Sequence, residues 1–294
     1  CPPCSSSRSA ITIRRTSSPN YYRLDRLGLS QQVGGKLHLH YADLTDAMSM
    51  LRLITSLKPD EIYNLAAQSD VAVSFGTAAY THNANGLGTL HLLEAIRHLD
   101  MASHVRFYQA STSELYGDGP AWPQNEETPF RPCSPYGVAK LSAYWSTVNY
   151  RHGYGMHASN GILFNHESPL RGPNFVTRKV TIAVAEIATG TRDHLSIGNL
   201  NAKRDWGHAK DSVDGIWHIV QHKEPGDYVL ATGQTHSVRE FIERAFACIG
   251  EDIEWKGQGV DEQGIDRKSG KLRVKVDPQF FRPTEVPLLW VDPS

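Results

Sequence analysis

Tyr136 and Lys140 stand four residues apart in Ser134-Pro135-Tyr136-Gly137-Val138-Ala139-Lys140. On a helix that spacing puts both on one face, so the ammonium can lie near the phenol. A free phenol titrates near 10 and is a poor base at neutral pH; bringing it to about 7 requires about 4 kcal/mol of preferential phenolate stabilisation. A lysine one helical turn away, together with the positive ring of an oxidised nicotinamide, is a source for that stabilisation. Just upstream, Gln109-Ala110-Ser111-Thr112-Ser113-Glu114 ends a strand-like stretch. Thr112 offers a hydroxyl to a sugar oxygen, and Glu114 a carboxylate placed as a base beside it. The combination suits a sugar that is oxidised and then stripped of water. Taken singly, each group has a plainer reading: Tyr136 and Lys140 as neighbours on an exposed helix, Glu114 as a solvated loop carboxylate, Thr112 as a turn residue. Their weight is joint.

These groups need a scaffold, and the chain reads as alternating strands and helices. Lys36 to Tyr41 alternates as a strand and runs into a helix carrying Met48, Leu51, Leu53 and Ile54, with Thr45 or Asp46 as its cap. Glu61 to Ala67 is a short apolar run of buried parallel-strand type. Asn85 to His98 has helical spacing, His104 to Ala110 reads as the next strand, and Gly161 to Asn165 as another after the Tyr136 helix. Repeated units of this kind predict an α/β fold with a doubly wound parallel sheet, and active-site groups collect at the strand ends of such sheets. Beyond about residue 170 the rhythm weakens. Helices are expected over 174–190 and 236–249, a strand over 227–231, and a charged surface excursion over 251–276. Residues 1 to about 35 read as loop or tail.

Composition excludes several classes. A formal net charge of −1 over 294 residues gives no footprint for nucleic acid, and no apolar stretch approaches a membrane span. Four scattered cysteines make no disulfide framework, and a reducing cytoplasm is the expected setting. Cys1-Pro2-Pro3-Cys4 has no second Cys/His pair to complete a metal site, so no metal is expected.

Several segments are more specific. Asn64 to Ser69, Ser111-Thr112-Ser113-Glu114, Asn165-His166-Glu167-Ser168-Pro169, Asn174 to Lys179 and Lys203-Arg204-Asp205-Trp206-Gly207 closely resemble the GDP-mannose 4,6-dehydratase family. That family belongs to the extended short-chain dehydrogenase/reductase superfamily. The resemblance runs from about Arg14 to the C-terminus. It implies a Rossmann-like NADP domain over 14–165, preceded by an irregular tail over 1–13, and a mainly substrate-binding region over 166–294. It also implies a cycle on one bound cofactor. Tyr136 removes the O4 proton while C4 is oxidised, with Lys140 on the cofactor ribose and Thr112 on O4. Glu114 then takes the C5 proton as the C6 hydroxyl leaves, and C6 is finally reduced. The implied substrate is GDP-mannose, and the implied product, GDP-4-dehydro-6-deoxy-mannose, is a precursor of GDP-fucose.

By the same resemblance, Arg14 and Arg15, in Arg14-Arg15-Thr16-Ser17-Ser18, suit a ribose 2′-phosphate. Their loop also reaches a neighbouring subunit in the family, implying a homo-oligomer, dimer or tetramer. Asp43 and Leu44 are expected to flank adenine, and Leu65, Ala66, Ala67, Gln68 and Ser69 to line the dinucleotide, with Tyr80, His166 and Arg171 completing its site. Asn165, Val176, Lys179, Arg204, Arg282 and Glu285 match positions that hold GDP-mannose, where arginines suit a pyrophosphate.

The chain departs from the family in places. The family opens with a strand, a Gly-rich turn and a helix, whereas residues 1–13 contain no glycine. The expectation is therefore a sheet missing its first βα unit, a chain truncated at both ends, and weak NADP binding, because that turn and its helix N-terminus normally receive the pyrophosphate. Asp70 stands where a histidine is common, Cys133 and Leu170 where arginines are, and Ser212 where a tyrosine is. Two alternatives remain open: another nucleotide-sugar enzyme of this fold, such as a 4-epimerase that needs no C5 base, and a non-catalytic relative that only binds or oligomerises.

Overall fold

A computed structural model describes residues 9–17, 21–29, 33–119, 123–284 and 286–291. Cys1, Cys4, Ser18 and Glu285 lie outside the described residues. The first element corrects the tail expectation. Ser9–Ile13 forms strand β1, because its Ile-Thr-Ile run finds a partner in the parallel strand β2, Leu37–Tyr41. Between them lies the one-turn helix α1, Tyr22–Arg26. Local Ser, Pro and Arg residues hid the strand, and only the pairing with β2 made it one.

Helix α2, Ala47–Leu57, starts at Asp46, whose carboxylate accepts from the backbone N–H of Met48 (3.0 Å) and Ser49 (3.1 Å). Asp46, rather than Thr45, is thus the cap. Strand β3, Glu61–Asn64, leads to α3, Val71–Gly76, and α4, Ala78–His82. Asp70 caps α3 through the N–H groups of Ala72 and Val73 and also accepts from Asn174 Nδ2 at 2.7 Å, so the acid has a local role at this position. A π-helical turn, Asn83–Leu87, joins α4 to α5, Gly88–His98. Then come β4, Arg106–Ala110, and the long helix α6, Pro135–Tyr154. Ser134 caps α6 by accepting from Gly137 N–H at 3.0 Å, and Pro135 suits the first turn, where its missing N–H costs nothing.

The second half runs β5 His157–Leu163, β6 Asn165–Glu167, α7 Val176–Ala188, β7 Leu195–Ile197, β8 Lys203–His208 and α8 Ala209–Gln221. It continues through β9 Asp227–Leu230, β10 Thr235–Ser237, α9 Val238–Ala247, β11 Ile253–Lys256, β12 Gln263–Asp266 and β13 Leu272–Val276.

Strands β3, β4, β5 and β9 form a fully parallel sheet in the order β3-β4-β5-β9, while β1 and β2 form a separate parallel pair. Among the described residues, β1 is hydrogen-bonded on its β2 side and β3 on its β4 side. These parallel strands give the α/β arrangement that the alternating pattern predicts. Helices cover both faces, as the alternation of β4 demonstrates. Phe107 packs with Met50, Leu93 and Ile96 of α2 and α5, and Tyr108 packs with Ile216 and Val220 of α8.

The expected surface excursion over 251–276 is instead a sheet. Strands β11, β12 and β13 pair antiparallel, and β13 adds β7 in parallel. Ile253, Val274 and Val276 point into a core shared with Val180, Ile242 and Phe246 of α7 and α9. The charges that suggested a loop occupy the alternate positions, so the period-2 signal is present but thinned by short strands. A further three-stranded sheet, β10-β8-β6, carries Asn165 and Arg204.

Candidate active site

The end of β4 and the start of α6 build the site. Thr112 follows β4 in extended backbone, and its Oγ1 accepts from Glu114 N–H at 3.2 Å, turning the chain into the 3-10 turn Ser113–Leu115. This short turn brings the Glu114 backbone against the first turn of α6. A β-carbon at Gly137 would lie 2.9 Å from Glu114 O and from Pro132 Cβ, so only glycine lets the two segments approach this closely. Ser74, which the sequence did not single out, accepts from Tyr136 N–H at 3.2 Å and ties α3 to the same turn.

Tyr136, Thr112, Glu114 and Lys140 converge. The Tyr136 phenol is hydrogen-bonded with Thr112 and feels the charges of Glu114 and Arg171. Lys140 Nζ donates to Ala110 O at 2.8 Å and lies 6.0 Å from the centre of the Tyr136 ring. Arg282 approaches Glu114 to 3.7 Å, so an expected substrate residue meets the expected base.

Burial dominates the electrostatics of the pair. Burial pushes the Tyr136 phenol up to about 12, with the Thr112 hydrogen bond and Arg171 opposing and Glu114 reinforcing. Burial likewise brings the Lys140 ammonium down to about 8. Desolvation therefore outweighs the stabilisation expected from helical proximity: taking an ion out of water outweighs one weakly oriented neighbour. By themselves these side chains hold Tyr136 as a neutral phenol at pH 7.

The expected cofactor residues fall into two groups. At one end, Arg14 Nη1 donates to Tyr80 Oη at 2.7 Å, and the Arg15 guanidinium stacks 4.4 Å over the Tyr41 ring. Asp43 is engaged locally, accepting from Thr45 N and Oγ1 at 2.9 and 2.8 Å. Leu44 O meets His91 Nδ1 at 2.8 Å. Leu65, 57% exposed, lies on the loop after β3 that continues through Ala66, Ala67, Gln68 and Ser69. At the other end, His166 Nδ1 lies 3.1 Å from Phe164 O. Arg171 lies over the Phe175 ring at 3.8 Å and within 3.2 Å of Glu167, which also accepts from Thr177 Oγ1 at 2.5 Å. Glu167 is a charged neighbour of Arg171 that the motif contained but the sequence did not assign.

Among the expected substrate residues, Asn165 opposes Trp206 across β6 and β8, and Val176 opens α7. Lys179 Nζ lies 3.3 Å over the Phe280 ring, and burial lowers its pKa. Phe280 is two residues from Arg282, so one short segment touches both Lys179 and Glu114. Arg204 is buried and donates to Lys203 O at 2.8 Å. Its neighbour Asp205, fully buried, accepts from the N–H groups of Thr232 and Gly233 and has a structural role.

Residues 5–294 match the family described as GDP-mannose 4,6 dehydratase. The chain belongs to the GDP-mannose 4,6-dehydratase family. A GDP-mannose 4,6-dehydratase of Sinorhizobium fredii is 58% identical over 95% of this chain and 80% of its own length, and the Homo sapiens relative is 52% identical over 95% and 76%. Among solved structures, an RMD from Pseudomonas aeruginosa complexed with NADPH aligns with a TM-score of 0.70 at 25% identity, covering 88% of this chain and 85% of that one. A dTDP-glucose 4,6-dehydratase from Streptomyces venezuelae aligns at 0.77 and 20% identity over 98% and 79%, a likeness of fold. The α/β doubly wound expectation and the family resemblance are thereby borne out. Among the described residues no helix is long and apolar enough to cross a membrane.

Proposed function

We propose that this chain dehydrates GDP-mannose to GDP-4-dehydro-6-deoxy-mannose with NADP as its cofactor, a hydro-lyase step toward GDP-fucose. The observation that carries this reading is the meeting of Thr112, Glu114 and Tyr136 at the end of β4, with Arg282 beside Glu114. An epimerase needs the phenol and the lysine but has no use for a carboxylate held beside them.

The residues fit NADP at both its ends. Arg14 and Arg15 place cationic planes beside Tyr80 and Tyr41, as a 2′-phosphate and an aromatic base require. Nearer the phenol, Ser111 Oγ is buried without a hydrogen-bond partner, as a group kept for a ligand would be. Held there, NADP would supply the reversible hydride acceptor that a transient oxidation at C4 and a reduction at C6 need.

The protein groups handle the protons. As the phenolate, which the positive ring of an oxidised nicotinamide would favour, Tyr136 Oη would take the O4 proton, assisted by Thr112 Oγ1, while Lys140 would hold the ribose. The resulting ketone acidifies C5–H. Glu114 takes that proton, and the C6 hydroxyl leaves as water. The proton held by Glu114 would leave with the C6 hydroxyl as water, and Tyr136 would return the O4 proton to C5 to complete the product. Asn165, Val176, Lys179, Arg204, Arg282 and Glu285 hold the GDP-mannose. The Arg14 loop joins neighbouring subunits into a homo-oligomer, and a cytoplasmic setting keeps Cys133 and Cys248 as free thiols.

The test is to incubate the chain with GDP-mannose and NADP⁺ and follow loss of one water from the sugar by mass spectrometry. Glu114→Gln is expected to slow elimination by roughly 10²–10⁴-fold, the usual worth of a general base, while single-turnover C4 oxidation survives. Equal loss of both steps would remove Glu114 from the role of C5 base.

A further inference from the structure

The π-helical turn Asn83–Leu87 lies between the catalytic helix and the loops expected to line the dinucleotide. An extra residue in such a turn rotates the helical segment before it by about 100° relative to the segment after it. Leu92, Leu93 and Ile96 of α5 can therefore keep facing the core while Asn85 faces elsewhere. Asn85 is 1% exposed, and its carboxamide bonds twice to one residue of the loop after β3. Oδ1 accepts from Gln68 N–H at 2.8 Å, and Nδ2 donates to Gln68 O at 2.9 Å. The side chain thus stands in for a β-ladder partner and satisfies both backbone groups of Gln68.

The same helix grips the loop after β2. A β-carbon at Gly88 would lie 2.8 Å from Leu44 Cβ, and His91 Nδ1 meets Leu44 O. The grip extends to the catalytic lysine through buried polar groups. Thr89 Oγ1 donates to Asn85 O at 2.8 Å and is within 3.1 Å of Gln109 Oε1. Asn64 Nδ2 bridges Thr89 Oγ1 and Gln109 Oε1, and Gln109 Nε2 donates to Ala110 O at 3.0 Å. That carbonyl is also the acceptor for Lys140 Nζ. Asn64, Asn85, Thr89, Gln109 and Lys140 are all buried. A satisfied network of this kind fixes one arrangement, because each member deprived of its partner is costly.

We propose that Asn85 is a positioning residue for cofactor binding: it clamps Gln68, and so the 65–69 loop, in register with Lys140 through the chain Asn85–Thr89–Gln109–Ala110. The proposal rests on the NADP reading above, but the clamp itself can be measured without cofactor.

The experiment compares the full chain with Asn85→Ala and Asn85→Asp, the latter keeping an acceptor for Gln68 N–H and losing the donor to Gln68 O. Amide hydrogen exchange is read at Gln68, with Phe107 and Ile162 in the central sheet as controls. Binding of NADP⁺ and of GDP is titrated separately. In Asn85→Ala, Gln68 exchange should quicken roughly tenfold or more, as for loss of a buried hydrogen bond and its companion. NADP⁺ should bind roughly tenfold more weakly, GDP should change less than about twofold, and Asn85→Asp should fall between. If Asn85→Ala does not fold, the Asn85→Asp comparison decides. Unchanged Gln68 exchange overturns the proposal, and so does equal weakening of NADP⁺ and GDP, which is what a merely structural role produces. If the unsubstituted chain binds no NADP⁺, the cofactor reading fails, and Gln68 exchange still decides whether the clamp exists.

Discussion

The end of β4 and the C-terminal β7/β11–β13 sheet treat buried charge in opposite ways. Around α9 and the β7/β11–β13 sheet, half-buried ions have partners of opposite sign or good donors. Arg239 forks onto both oxygens of Glu262 at 2.6 and 3.0 Å, Arg273 pairs with Glu251, and Trp255 Nε1 donates to Glu243 at 2.6 Å. At the end of β4, Lys140 is buried on a neutral carbonyl, and among the described residues no carboxylate pairs with it. Tyr136 beside it is held neutral. One half is arranged to be stable. The other carries unbalanced charge, which is what a site awaiting a ligand requires and what costs it stability.

The largest effect should come from breaking the stable half. Phe246, fully buried between α9 and its sheet, is expected to lose about 3–5 kcal/mol as Phe246→Ala, read from urea unfolding. A loss below about 1 kcal/mol would mean that the C-terminal core is not what holds this half together.

Next is a stabilising change in the catalytic half. Lys140 has its folded pKa lowered to about 8 from 10.5, so its burial destabilises the protein fully below pH 8, where both states are protonated. The penalty shrinks between pH 8 and 10.5 and is gone above that. Lys140→Met should therefore stabilise the chain by as much as about 3 kcal/mol at pH 7, less the lost bond to Ala110, with the gain fading as pH rises to 10.5. A gain independent of pH would indicate better packing rather than relief of a desolvated charge. The smallest effect sharpens the same contrast. Ser134→Ala removes the cap that starts the catalytic helix and should cost about 1 kcal/mol by thermal unfolding, without the pH dependence of Lys140→Met.

Much of the catalytic half was legible. Tyr136 and Lys140 lie on one helix because the cap Ser134, the proline after it and the i, i+4 spacing are all local signals. Thr112 and Glu114 were readable from the end of an apolar run. The β11–β13 sheet was not, because its strands are four or five residues long and their exposed faces are charged. Ser9–Ile13 was missed because nothing within it demands a strand until Leu37–Tyr41 pairs with it. Asn85 carries no local signal, since its partner Gln68 matters only once the loop has closed around it, whereas Glu167 lay inside a family motif and four residues from its partner Arg171.

The order of side chains along the chain by itself determined which groups could do chemistry, which helix face they share, and which family the motifs resemble. Those are short-range properties of spacing and residue type. Tertiary structure alone decided their protonation, because a pKa is set by how much water and which charges surround a group after folding. Burial delivered a neutral phenol near 12 and a lysine near 8, because desolvation in the assembled fold outweighs a neighbour one turn away.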